Sequence, residues 1–156
     1  MNPDINTKQM GDACEMLVAA ELTLAGVPAV KMPDNWPVYD LMAFPKGDAA
    51  PQKISVKSRT FKSGRDCYVE YNVNDHFDWL AIVILPNDKG EPNKRRVYII
   101  PKSIAGDENP GGRFYRYPEG TKNHNIRSGQ IDKLAEQIPE FEDNFCLSQT
   151  GKSRSS

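Results

Sequence analysis

Three features of this 156-residue chain predict an α/β (α+β) fold, a mixed β-sheet flanked by helices within a single domain. A helical apolar stripe opens the chain, short strand-like runs fill its middle, and a second helical segment lies near its end. In the first of these, Met10, Cys14, Leu17, Val18, Leu24 and Ala25 recur at helical spacing from about Thr7 to Ala25, and Gly26 is placed to end the helix. The run "VPAVKM" predicts a short strand and "DNWP" a turn. A second strand, "VYDLMAF", is closed by the loop "PKGDAAPQ", and "KISVKSR" is a third. After the polar "TFKSGRD", the alternation in "CYVEYNV" predicts a fourth. "NDHFDW" reads as a turn or one helical turn, with Asn74 or Asp75 as its cap. The continuous apolar "LAIVIL" fits a strand buried on both faces, and "RRVYIIP" is its natural hairpin partner across the loop "PNDKGEPNK". The stretch 102–129 is rich in Gly and Pro and reads as irregular, while "QIDKLAEQI" predicts the last helix. The domain is expected to span 1–146, with 147–156 a polar, disordered tail.

Bulk properties narrow the function classes. Hydrophobic residues make up 38% and charged residues 26%, ordinary for a soluble domain. No run has the length of a membrane span, and "MNPDINTKQMGD" lacks the apolar centre of a signal peptide, so a cytoplasmic protein without membrane partners is expected. Cys14, Cys67 and Cys146 are odd in number and widely spaced, which fits neither a disulfide framework nor a zinc site. The net charge of −1 argues against a uniformly basic surface but leaves room for a local one.

Asp40 and Lys57 carry the chemical interest. Asp40 lies between Tyr39 and Leu41 in an apolar run, where an unpartnered carboxylate costs several kcal/mol. Either Lys57 or a metal ion would balance it. Magnesium, a hard cation, takes oxygen ligands and keeps several waters, which suits a strand-borne aspartate beside a carbonyl or second acid. A lysine next to such an ion can orient a water and offset charge developing on a phosphoryl group.

"GDACEMLVAAELTLAG", "YDLMAF" and "ISVKSR", taken in that order, resemble the PD-(D/E)XK nuclease superfamily, particularly its small Holliday-junction-resolvase-like members. The resemblance covers roughly Gly11 to Arg59 and implies a restriction-endonuclease-like mixed sheet flanked by helices. It implies an enzyme, a magnesium-dependent DNA endonuclease for which manganese can substitute, acting as a homodimer. Carried onto this chain, it makes Glu15 the helix acid, Asp40 the principal metal ligand, the Val56 carbonyl a further ligand and Lys57 the catalytic lysine. The chain departs from the pattern at Ser55, where the family has a second acid; Glu15 and Glu70 are the substitutes within reach of the pattern. Loss of catalysis with retention of DNA binding is the alternative that this departure opens.

Lys53, Lys57, Arg59, Lys62 and Arg65 form a basic run with no acid among them, suited to a phosphate backbone. "RFYRY" interleaves Arg113 and Arg116 with aromatics, and the tail adds Lys152 and Arg154. Each feature has a plainer reading. Glu15 is equally a solvated helix residue, and Glu21 is its rival near the middle of the apolar stripe. Asp40 with Lys57 is also a plausible structural ion pair, the basic run a solvated loop, and "RFYRY" a strand with packed tyrosines. His76 reads as a cap or packing residue, His124 as a loop residue, and Trp79 as core.

Overall fold

Both ends of the first helix are specified locally, and α1 (Thr7–Leu24) forms between them. The Asn6 side chain accepts from the Gln9 N–H at 2.8 Å, and the Gln9 side chain accepts from the Asn6 N–H at 3.0 Å. At the other end Gly26 adopts φ +98°, donates to the Thr23 carbonyl, and lets Val27 donate to the Leu22 carbonyl. This is the paired closure that a left-handed glycine permits. Cys14, Val18 and Leu22 form the buried stripe. Leu24, expected in that stripe, is instead 82% exposed, since two residues beyond Leu22 is roughly 200° around the helix.

The computed structural model describes residues 5–47, 49–60, 69–72, 75–86, 95–105, 115–116, 123–126 and 137–152. The strands are β1 (Ala29–Lys31), β2 (Leu41–Ala43), β3 (Gln52–Thr60), β4 (Val69–Asn72), β5 (Trp79–Leu85) and β6 (Arg96–Pro101). They are followed by α2 (Lys102–Ala105), β7 (Tyr115–Arg116), β8 (Asn123–Ile126) and a 3-10 turn, Pro139–Phe141. Five strands form a mixed sheet in the order β1-β2-β3-β5-β6, in which β3 and β5 run parallel and the other neighbours antiparallel.

Strand β5 is the centre of the molecule. Its Trp79, Ala81 and Val83 pack with α1, Leu41, Ala43 and Ile54 on one face of the sheet. Leu80, Ile82 and Ile84 pack on the other with Tyr71, Phe77, Ile138 and Phe141. The unbroken apolar run is therefore buried on both faces, and β6 is its hairpin partner, as the pattern requires. Trp79, 1% exposed, is core.

Several expectations change. β4 joins a separate three-stranded sheet, β4-β8-β7, rather than extending the main one. The stretch taken as irregular contributes α2, β7 and β8. Asp40 immediately precedes β2 instead of lying inside it, and Lys57 lies within β3, which continues to Thr60. Beyond Leu147, the Ser148 N–H and carbonyl both bond the Asn144 side chain, and the Lys152 N–H donates to the Glu140 carbonyl at 2.6 Å. The polar tail is thus folded back through Lys152. Of the last predicted helix, 130–136 lies outside the described residues. Among the described residues no helix is long and apolar enough to cross a membrane.

Candidate active site

β2 is much shorter than β3, and the site lies where it stops. Its three residues pair with Gln52, Lys53 and Ile54; beyond Ile54, among the described residues, β3 is paired only with β5. Asp40, just before β2, donates its N–H to the Ile54 carbonyl at 2.9 Å. Its carboxylate Oδ2 then accepts the Val56 N–H at 2.7 Å, replacing the backbone acceptor that a longer β2 would have supplied. In an extended strand the N–H and C=O of one residue face the same side. The Val56 carbonyl therefore opens on the edge that holds Asp40.

α1 brings Glu15 to the same place. Glu15 and Asp40 line one cleft of about 170 Å³ together with Asp12, Lys8, Lys31, Asp34, Trp36 and Tyr39. Burial pushes the Glu15 carboxyl up to about 7, and the hydrogen bond and negative charge of Asp40 push it the same way. Lys31 opposes this from 3.7 Å and also approaches Asp12 at 3.7 Å. The hydrogen bond from Lys8 holds the Asp12 carboxyl low.

The sequence-predicted residues divide into three groups. Glu15, Asp40 and the Val56 backbone come together. Lys57 lies one residue beyond Val56, in register with Ile82 on the face away from α1, and does not line the cleft. Among the described residues no ion pair joins it to Asp40, so the simple paired reading finds no support in the geometry. Ser55, in register with Leu80, is buried at 5% exposure, in a setting that would disfavour a carboxylate. Lys53 places its ammonium 5.8 Å from the Tyr39 ring centre. The exposed Arg59 donates to the Ser58 carbonyl at 2.8 Å. Glu70 lies on β4 and Arg116 on β7, with their side chains outside what is described; Lys62, Arg65 and Arg113 lie wholly outside the described residues. Glu21 is half-buried farther along α1, and His76 is exposed.

Asp12, Lys31, Trp36 and Tyr39 were not singled out from the sequence. Asp12 had a legible signal: it lies three residues before Glu15, hence one turn away on the same helix face. Lys31 and Trp36 had none, because only the fold brings β1 and the loop after it to the helix.

As donors, two carboxylates and a carbonyl suit a hard divalent cation that completes its shell with water. A cation would also offset the burial and the Asp40 charge that raise the Glu15 carboxyl. Among the described residues no three His, Cys, Asp or Glu side chains group to hold an ion, so the fit rests on two acids and the backbone.

The mixed five-stranded sheet with α1 packed on one face is an endonuclease-like fold. Among solved structures, the chain is similar to the bacterial homing endonuclease I-Ssp6803I, with a TM-score of 0.50 and 18% identity over 78% of this chain and 74% of that one. It is also similar to Hjc, a Holliday junction resolvase from Archaeoglobus fulgidus, with a TM-score of 0.43 and 15% identity over 81% of this chain and 93% of that one. No family model matches the sequence, and no curated protein matches it.

Proposed function

We propose that this protein is a metal-dependent endonuclease that hydrolyses DNA phosphodiester bonds. The observation that carries the reading is the meeting of Glu15 and Asp40 at an open strand edge, on a fold shared with a homing endonuclease. Asp40 and the Val56 carbonyl would hold magnesium or manganese, with Glu15 as the second acid. When bound, the ion would supply Lewis acidity toward a phosphate oxygen and a water.

The chain's own residues do the rest. The Val56 N–H fixes the Asp40 carboxylate through one oxygen, and the other would serve the ion. Glu15, poised to ionise near neutrality, takes or releases a proton at the same mouth. Lys57 is the residue proposed to steady the attacking water or the charge growing on the phosphate, and its place on the other face of β3 makes Lys57→Ala the most exacting test of that role. Lys53 and Arg59 on β3, with Lys62, Arg65, Arg113 and Arg116, hold the backbone of the DNA. A homodimer would present two such sites to a branched or duplex substrate.

Ser55 supports a second reading, a DNA-binding module that has lost catalysis, because the acid the motif usually carries there is missing and the position is buried. Plasmid nicking with magnesium or manganese separates the two. The nuclease reading expects nicking by the wild-type chain and its loss in Asp40→Ala and Lys57→Ala. Nicking that survives both substitutions would place the chemistry elsewhere.

A further inference from the structure

Part of the cleft's lining is aromatic, and catalysis as described does not use it. Trp36 and Tyr39 line the cleft beside Glu15 and Asp40, and Trp36 remains 46% exposed. Neither ring belongs to either hydrophobic cluster. The rings meet edge on, with centroids 6.1 Å apart and planes at 73°, so the indole keeps open π-surface.

The loop that carries Trp36 is held in a defined shape. Its N–H donates to the Pro33 carbonyl at 3.1 Å, closing a turn in which Asn35 has φ +66°. The Tyr39 N–H donates to the Pro37 carbonyl at 3.1 Å, closing a three-residue turn around Val38 at φ +84°. A β-branched residue held there costs about 1–3 kcal/mol. Prolines at 33 and 37 stiffen the loop further. Such a segment presents Trp36 in place without having to order it on binding. Of the nearby cations, Lys8 and Lys31 are paired with Asp12, Asp34 and Glu15, whereas Lys53 lies over Tyr39 and has no ion pair among the described residues.

We propose that Trp36, braced by Tyr39, is a stacking platform for an unpaired base, so that the preferred substrate is single-stranded or branched DNA. Bases in a continuous duplex are already stacked and cannot offer a face, whereas an unpaired base stacks on any exposed aromatic regardless of its identity. Lys53, over the Tyr39 ring, is the cation placed to hold an adjoining phosphate. This rests on the nuclease reading for the fate of the phosphate, but the stacking itself stands independently.

Trp36 reports on its own occupancy, because the second tryptophan, Trp79, is buried and donates to the Gln52 side chain at 2.9 Å. The experiment titrates the full chain in EDTA with a short oligothymidylate and, separately, with a blunt duplex of equal length, following tryptophan emission. Oligothymidylate is expected to quench the exposed indole and the duplex to leave it bright. Trp36→Ala should weaken oligothymidylate binding about ten-fold, read by fluorescence anisotropy of labelled DNA, and leave duplex binding unchanged. Trp36→Phe, which keeps a ring, should recover most of the loss, and circular dichroism checks that both variants fold. Absence of quenching, equal weakening on both DNAs, wild-type affinity in Trp36→Ala, or preference for the matching ribo-oligonucleotide would each overturn the proposal. Magnesium-dependent cleavage without the single-strand preference would remove the platform and leave the nuclease. Quenching without cleavage in magnesium or manganese would do the reverse.

Discussion

The two halves of β3 have the same strand geometry and opposite fates. From Gln52 to Ile54 the strand is flanked on both sides, by β2 and β5, and Ile54 is completely buried against α1 and the core of β5. From Val56 to Thr60 it keeps β5 but has lost β2, and Asp40 stands where the next β2 residue would bond. The first half converts apolar area into stability. The second turns its backbone polar groups toward Asp40, whose carboxylate accepts the Val56 N–H. A sheet whose strands differ in length thus opens a cleft without interrupting its core.

The largest effect that sharpens the contrast is expected at Ile54. Ile54→Ala should destabilise the protein by about 2–5 kcal/mol in urea unfolding, as a cavity in a closed core does. Val56→Ala, two residues on and only partly buried, should cost clearly less. Equal losses would mean that the two halves are not different environments at all.

Next in size is the carboxylate that stands in for the missing strand. Asp40→Ala leaves the Val56 N–H without its acceptor and should cost about 1–3 kcal/mol. Asp40→Asn can still accept that bond through its carbonyl oxygen and should retain most of the stability, while losing metal-dependent nicking as completely as the alanine variant does. If the asparagine variant unfolds as readily as the alanine one, the bond to Val56 is not what holds this edge.

Much of this division was written in the sequence, though not its cause. The apolar run of β5, the helical stripe with Gly26 at its end and the alternation in β3 are local patterns, and each produced its element. Glu15 and Asp40 followed from the order of several weak motifs on one chain, and the fold brings them to one cleft. What local pattern does not encode is pairing. The assignment of β4 to a second sheet, the early end of β2 and the arrival of Lys31 and Trp36 beside Glu15 are decided by which segments meet across long stretches of chain. The face taken by Lys57 follows from its register with Ile82, which no single strand announces.

A smaller effect probes charge at the open edge. Because the Glu15 carboxyl rises from 4.5 to about 7 in the folded protein, the native state binds more protons than the unfolded chain across that window. Stability should therefore be full below the unfolded value and fall as pH rises through about 7, by on the order of 1–2 kcal/mol once solvent screening at the cleft mouth is discounted. Urea unfolding across this range should show the slope in the wild type and a flatter profile in Glu15→Gln. Magnesium added on the alkaline side should recover stability in the wild type and much less in the variant. A wild-type profile flat through this window would remove the repulsion between Glu15 and Asp40 as a feature of the site.

Lys31 should give the smallest change in stability, and its direction discriminates most finely. It approaches Asp12, Glu15 and Asp34 at 3.7, 3.7 and 3.4 Å, all at a partly solvated cleft, so Lys31→Met should cost less than about 1 kcal/mol near neutrality. The removed cation was lowering the Glu15 pKa, so the fall in stability should start at the same pH in the variant but extend to higher pH than in the wild type. The same loss leaves the acids with less counter-charge, and magnesium should bind more tightly, seen as a larger stabilisation at equal metal concentration. A shift of the stability profile toward lower pH, or weaker stabilisation by magnesium, would show that Lys31 acts on the cleft mainly through contacts other than its charge.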